Sequence, residues 1–289
     1  MDTIYTNAQH TIKIKHKDTI NLWLWGDVHR DTDSCDVDRW KWFLKKSAQD
    51  DPEKTYYMGL GDYNDFASSS EQKALTKGVM HETTMEKFDQ IVERDNRKFA
   101  AEIKQMRGKL LGLVEGNHSW KFLNGTTSTE DLANRMGCDY LGWLSHVTLT
   151  FDFGIHRNHT VGGKRSQNVY IVACHGKAGG KTHGNSINQV GWMKEIFPIA
   201  DIYVQGHDHQ RGAWPCNILY PAPGGKMKQK RQYLCRSGSF KRAYQKDKSQ
   251  YEVGRLYRPS DLGALKMTIG FHRDREDGDR IITDIEAVV

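Results

Sequence analysis

Five short segments of the 289-residue chain carry side chains able to bind metal ions: Asp27 with His29, Asp62, Asn117 with His118, His175, and His207 with His209. They offer carboxylate oxygens, an amide oxygen and imidazole nitrogens, but no thiolate. That donor mix suits a hard-to-borderline divalent cation, Mn2+ first and Fe, Zn, Ni or Co as other fits, better than a structural zinc cage. Each segment follows an apolar run, so each is expected just past the end of a β-strand. In an α/β sheet the carboxyl ends of strands lie along one edge, where residues distant in sequence can converge on one site.

The elements that would do this positioning are legible as alternating patterns. Apolar runs predict strands over 20–25, 55–60, 109–114, 147–153, 169–174, 202–204, 232–236, 264–271 and 280–288. Helical spacing predicts a helix over 36–47 behind Ser34 as cap, and a longer one over 84–106 with Met85, Phe88, Val92, Phe99, Ile103 and Met106 along one stripe. Ser128 and Asp131 read as a capping box, and 185–197 reads as a helix stopped before Pro198. Trp23, Trp25, Trp40 and Trp42 are expected in or near the core. Segments 119–127, 154–167, 176–184 and 211–230 read as loop insertions.

In order along the chain stand Asp27-Val28-His29, Gly61-Asp62-Tyr63-Asn64-Asp65, Gly116-Asn117-His118, His175-Gly176 and Gly206-His207-Asp208-His209, followed by a Ser237-Gly238-Ser239 turn. This series resembles the calcineurin-like metallophosphoesterases over about residues 20–240. The resemblance implies one α/β domain with two facing mixed β-sheets flanked by helices. It implies two divalent ions, one held by Asp27, His29, Asp62 and His209, the other by Asp62, Asn117, His175 and His207. Asp62 would bridge, since a carboxylate has two oxygens to share between cations. His118 would donate a proton to the leaving oxygen, and Asp65 would orient a site histidine. The chain departs from the Ser/Thr protein phosphatases of that superfamily: Phe66-Ala67 follows Asp65 and Ser119 follows His118. The arginine that would grip a phosphoprotein is missing. Stretches after Ser237 also look like uncharacterised bacterial and phage members.

The composition is that of a globular chain, 37% apolar and 27% charged, which excludes disordered and fibrous classes. No run of about 18 apolar residues occurs and the opening 20 residues lack a signal-peptide centre. Five scattered cysteines read as reduced, so a cytoplasmic protein with no membrane partner is expected. Net charge is +6, and nine Lys and Arg against Asp247 give residues 226–248 a local excess of +8. Lys and Arg in such a segment bind phosphates without reading sequence. The resemblance implies metal-dependent hydrolysis of a phosphoester, and the basic segment leads us to expect a phosphodiester in a nucleotide or nucleic acid. A phosphomonoesterase on small molecules and a non-catalytic scaffold are the alternatives. Tyr63, Asn64, Trp120, Lys177, Lys181, Arg236 and Arg242 are the candidate substrate contacts.

Overall fold

The computed structural model describes residues 7–15, 17–66, 81–154, 166–176, 182–222, 224–245, 251–254, 256–274 and 280–288. Strands β1 (Ala8–Lys13), β2 (Thr19–Trp25), β3 (Thr55–Gly59), β4 (Leu110–Val114), β5 (Asp139–Gly142) and β6 (Leu144–Asp152) come from the first half. Then follow β7 (Ser166–Cys174), β8 (Ile202–Gln205), β9 (Arg211–Ala222), β10 (Lys226–Ser237), β11 (Leu265–Asp274) and β12 (Arg280–Val288). They form two six-stranded sheets, ordered β1-β6-β7-β8-β10-β9 and β12-β11-β2-β3-β4-β5. Both are mixed: β2 to β5 run parallel beside antiparallel β11 and β12, and β7, β8 and β10 run parallel beside antiparallel β6 and β9.

The strand period of two explains the layering. In β2, Ile20, Leu22 and Leu24 enter a core shared with Val147, Phe151, Ile171 and Val204 of the other sheet. Trp23 and Trp25 point the opposite way, onto helices α1 (Val37–Ser47), α2 (Glu82–Glu102) and α3 (Ser128–Met136), where they meet Trp40, Phe43, Phe99 and Leu132. The outer face of the first sheet is covered by α4 (His183–Gly191) and α5 (Met193–Ile196), through Val190 and Met193 against Val172 and Tyr203. A final turn, α6, spans Tyr251–Gly254. Among the described residues no helix is long and apolar enough to cross a membrane.

Several local expectations are corrected. Asp36, not Ser34, caps α1, its carboxylate accepting the Arg39 N–H. Thr127, not Ser128, caps α3: its hydroxyl accepts the Glu130 N–H, while Ser128 is the first helical residue and its hydroxyl accepts the Trp120 N–H. The 185–197 helix divides at Trp192 into α4 and α5. Trp42 is 49% exposed, since it lies two residues from Trp40 and so on the opposite side of α1. Segment 211–230 is no loop: β9 pairs residue for residue with β10, Arg211 opposite Ser237 and Ala222 opposite Lys226. Only Tyr233 to Arg236 of β10 pair with β8. The outer parts of β9 and β10 therefore form a two-stranded ribbon bonded only to itself within the sheet. Strands β1 and β5 were not anticipated. Segments 155–165 and 177–181, within two of the expected loops, lie outside the described residues.

Trp40 is fully buried, packs against Trp25, Phe99 and Phe240, and donates its indole N–H to Glu102 at 3.0 Å. Replacing it with Ala should lower unfolding free energy by about 3–5 kcal/mol, the range for large buried aromatics. Trp42→Ala should cost less than about 1 kcal/mol, which denaturant midpoints of the two variants will check.

Candidate metal centre

The carboxyl ends of β2, β3, β4, β7 and β8 bring the seven candidate ligands together. The loops leave the strands sharply. Asp27, His29, Asp62, His207 and His209 have φ of 50°, 45°, 51°, 70° and 56°. Such left-handed conformations cost about 1–3 kcal/mol each away from glycine and persist only where surroundings enforce them. Here the enforcement is visible. The Asp27 N–H bonds Gly61 O at 3.0 Å, while those of Val28 and His29 reach Asp62 O at 2.9 and 3.0 Å. The Asp27 carbonyl receives the Phe240 N–H at 2.9 Å and the Ser239 hydroxyl at 3.0 Å.

The carboxylates are pinned by backbone donors from other loops. The His207 N–H lies 3.0 Å from both Asp27 oxygens, and the His118 N–H bonds Asp62 Oδ1 at 3.0 Å. That close approach explains why three motifs contain glycine. A Cβ on Gly116 would collide with Asp62 Oδ1, one on Gly206 would stand 2.7 Å from Asp27 Oδ2, and one on Gly61 2.6 Å from His175 Nδ1.

With Oδ1 engaged, Asp62 Oδ2 faces both histidines, 3.0 Å from His175 Nε2 and 3.7 Å from His29 Nε2. Asn117 Oδ1 lies 2.9 Å from His175 Nε2 and 2.7 Å from His207 Nδ1, and His209 Nε2 lies 3.4 Å from Asp27 Oδ1. Among the described residues, three groups have ligand atoms mutually within 4.8 Å: Asp27, His29 and His209; His29, Asp62 and His118; Asp62, His175 and His207. Tautomers point the same way. Leu60 O can only accept, so His175 Nδ1 donates to it at 2.7 Å and leaves Nε2 toward the cluster. His29 Nε2 is buried without a hydrogen-bond partner. Burial disfavours the Asp62 charge, yet His175 and His29 outweigh it and hold its pKa well below the usual range. Burial likewise opposes a proton on His175, but Asp62 and Asp27 raise its pKa to about 9. Burial and the neighbouring His175 push His207 down to about 4. Anionic oxygens, neutral imidazole and an orphaned ring nitrogen converging in a buried space fit a divalent cation.

Asp65 lies beside the cluster and touches two histidines. Its Oδ2 lies 3.2 Å from His29 Nδ1, and its Oδ1 pairs closely with His118 Nδ1. Burial opposes a charge on His118, but its bond to Asp65 and the field of Asp62 prevail and raise its pKa.

The candidate substrate contacts fare differently. Tyr63 is buried, its hydroxyl donating to Val114 O at 3.0 Å and accepting the Gly61 N–H at 3.1 Å. Trp120 is buried against Phe88 and donates to Asp89 at 2.7 Å. Arg236 is completely buried. The Tyr63 hydroxyl, the Trp120 indole N–H and the Arg236 guanidinium are thus all engaged inside the protein. Asn64, also buried, lines a small cleft with Asp62, Tyr63, Phe66, Asn96, His118 and Ser128. Arg242 is half-exposed and paired with Asp36. Lys177 and Lys181 lie outside the described residues. Three carboxylates escaped the sequence reading. Asp31 accepts the Asp65 N–H at 2.6 Å, buried Glu115 accepts the Tyr140 and Thr127 hydroxyls at 2.6 and 2.7 Å, and Asp208 pairs with Arg236. Each stands within four residues of a candidate ligand, the one available signal.

No family model and no curated protein sequence matches the chain. Among solved structures it is similar to GAP50 of Plasmodium, with 11% identity over 94% of this chain and 89% of that one and a TM-score of 0.40. It is similar to a Zn2+ complex of wild-type Vps29 from Entamoeba histolytica, with 10% identity over 93% and 98% and a TM-score of 0.35. A conserved uncharacterised protein from Streptococcus pneumoniae, described as a predicted phosphoesterase, gives 11% identity over 94% and 99% and a TM-score of 0.32. At such low identities and TM-scores these likenesses assign neither a family nor an activity to the chain.

Proposed function

We propose that the chain is a dinuclear-metal-dependent phosphoester hydrolase. The observation that carries this reading is that one oxygen, Asp62 Oδ2, lies 3.0 Å from His175 Nε2 and 3.7 Å from His29 Nε2, members of two different ligand groups. Asp27, His29, Asp62 and His209 would hold one ion; Asp62, Asn117, His175 and His207 would hold the second. What such an ion pair supplies is charge that neutralises phosphoryl oxygens and acidifies water. The chain's own residues do the rest. As the bond from phosphorus to the leaving oxygen breaks and the bond from water oxygen forms, His118 gives its Nε2 proton to the leaving oxygen. Asp65 holds His118 through Nδ1, which keeps Nε2 toward the substrate and favours the charged ring.

For the substrate we infer a phosphodiester in a nucleotide or nucleic acid, supported by the +8 segment. Its position sets a limit. Lys226, Lys228, Lys230 and Arg231 lie on the ribbon, five to ten residues before Arg236. At about 3.3 Å per residue this is roughly 17–33 Å from the level of the centre. Any phosphate they touch is several nucleotides from the scissile one. Lys230 is moreover engaged by Asp201 at 2.9 Å and Ile199 O at 2.8 Å. That displacement favours a second reading, a phosphomonoesterase acting on small molecules.

The metal claim predicts close to two Mn2+ per chain at saturation, and Asp62→Asn should weaken both sites together. Metal analysis that finds one ion in active wild type overturns it. His118→Ala should lower kcat by about 10²–10⁴ for an alkyl leaving group and far less for p-nitrophenolate, which needs little protonation. Equal losses would remove His118 from the proton-donor role. On the Mn2+-loaded protein, relative rates with bis-p-nitrophenyl phosphate, p-nitrophenyl phosphate and single-stranded DNA should separate the two substrate readings. Changing Lys226, Lys228, Lys230 and Arg231 to Ser should flatten the salt slope of DNA binding by about 0.7 per lost phosphate contact. An unchanged slope would leave the small-molecule reading standing.

A further inference from the structure

We infer that Arg236, with Asp208, is a positioning residue that holds the Gly206–His209 turn so that His207 and His209 present their rings to the metals; this rests on the metal reading above. The turn is short and places two candidate ligands one residue apart, both in left-handed conformations. Asp208 stands between them in sequence and belongs to none of the three ligand groups. Its Oδ1 accepts the Gln210 N–H at 3.1 Å, and its Oδ2 pairs with the Ser186 hydroxyl and lies 3.3 Å from Arg236 Nε. Its N–H bonds Gly206 O at 2.9 Å, closing the turn on itself.

The guanidinium grips the same turn at its first residue. Nη1 donates to Gly206 O at 2.8 Å, while Nη2 and Nε donate to Ser186 O at 2.8 and 3.2 Å. One planar group thus ties together the start of the turn, its central carboxylate and helix α4. Arg236 is 0% exposed, so its guanidinium is directed into the protein and not toward a substrate in solvent. A buried ion pair is seldom the cheapest way to fill a core, since apolar residues of equal volume often do as well. What it supplies is direction: a fork of fixed geometry that admits one arrangement of the carbonyls it binds. His207 and His209 belong to different ligand groups, so one strut governs both halves of the centre.

The test uses the full chain and reads metal binding as well as folding. Arg236→Lys keeps the charge but loses the fork, and Asp208→Asn keeps the shape but loses the charge. Both should weaken Mn2+ binding about 10–100-fold, the usual cost of removing a group that orients a ligand, and shift the visible spectrum of the Co2+-loaded protein. Circular dichroism of the metal-free variants shows whether they are folded; should Arg236→Lys unfold, the isosteric Asp208→Asn decides. Folded variants that bind Mn2+ with wild-type affinity and show the wild-type Co2+ spectrum overturn the strut. Wild-type protein that binds no Mn2+ overturns the metal reading instead, and is seen before any variant is made.

Discussion

Two carboxylates buried side by side, Asp27 and Asp62, are the constraint around which the rest is arranged. A buried anion is tolerated only where charge or hydrogen bonds compensate it. Here backbone N–H groups of His207 and His118 take part of that role, and imidazoles of His175, His29 and His209 take the remainder. Each compensating group comes from another strand end. The carboxylates can therefore be satisfied only if strands of both sheets finish at the same level, which ties the order of the β-strands to the chemistry at their tips.

The sandwich makes that alignment rigid. Residues such as Leu22, Phe151 and Val204 fix the two sheets against each other, while the aromatic cluster of Trp25, Trp40, Phe43, Phe99 and Phe240 fixes α1 and α2 behind β2. Phe240 links core and site directly: its ring packs on Trp40 and its N–H bonds the Asp27 carbonyl. A cavity in this cluster would be felt at a backbone atom of a candidate ligand.

The candidate ligands were legible because their geometry demands specific neighbours. Gly61, Gly116 and Gly206 are written into the motifs by the atoms that press against their α-carbons. Those contacts leave a pattern in sequence that survives without knowledge of the fold. Arg236 was misread for the converse reason. Charge and a basic neighbourhood suggest a surface, and nothing in the local sequence reveals that β10 turns this side chain inward beneath Gly206. The ribbon was hidden by Pro215, Pro221 and the Gly224-Gly225 pair, which break the alternation by which strands are recognised. Strand β1 was missed because only Ile12 of its six residues is buried, so its apolar signal is a single position.

Strand β9 forms the outer edge of its sheet. An uncovered edge normally offers a row of N–H and C=O groups to which a strand of another molecule can attach. Pro215 and Pro221 have no N–H to offer, so within twelve residues the row is interrupted twice. The neighbouring lysines of β10 add mutual repulsion to any approach of like chains. The ribbon can thus project into solvent without serving as a template for end-to-end polymerisation. The same prolines that conceal it from pattern recognition deny this edge two of the donors that a further strand would need.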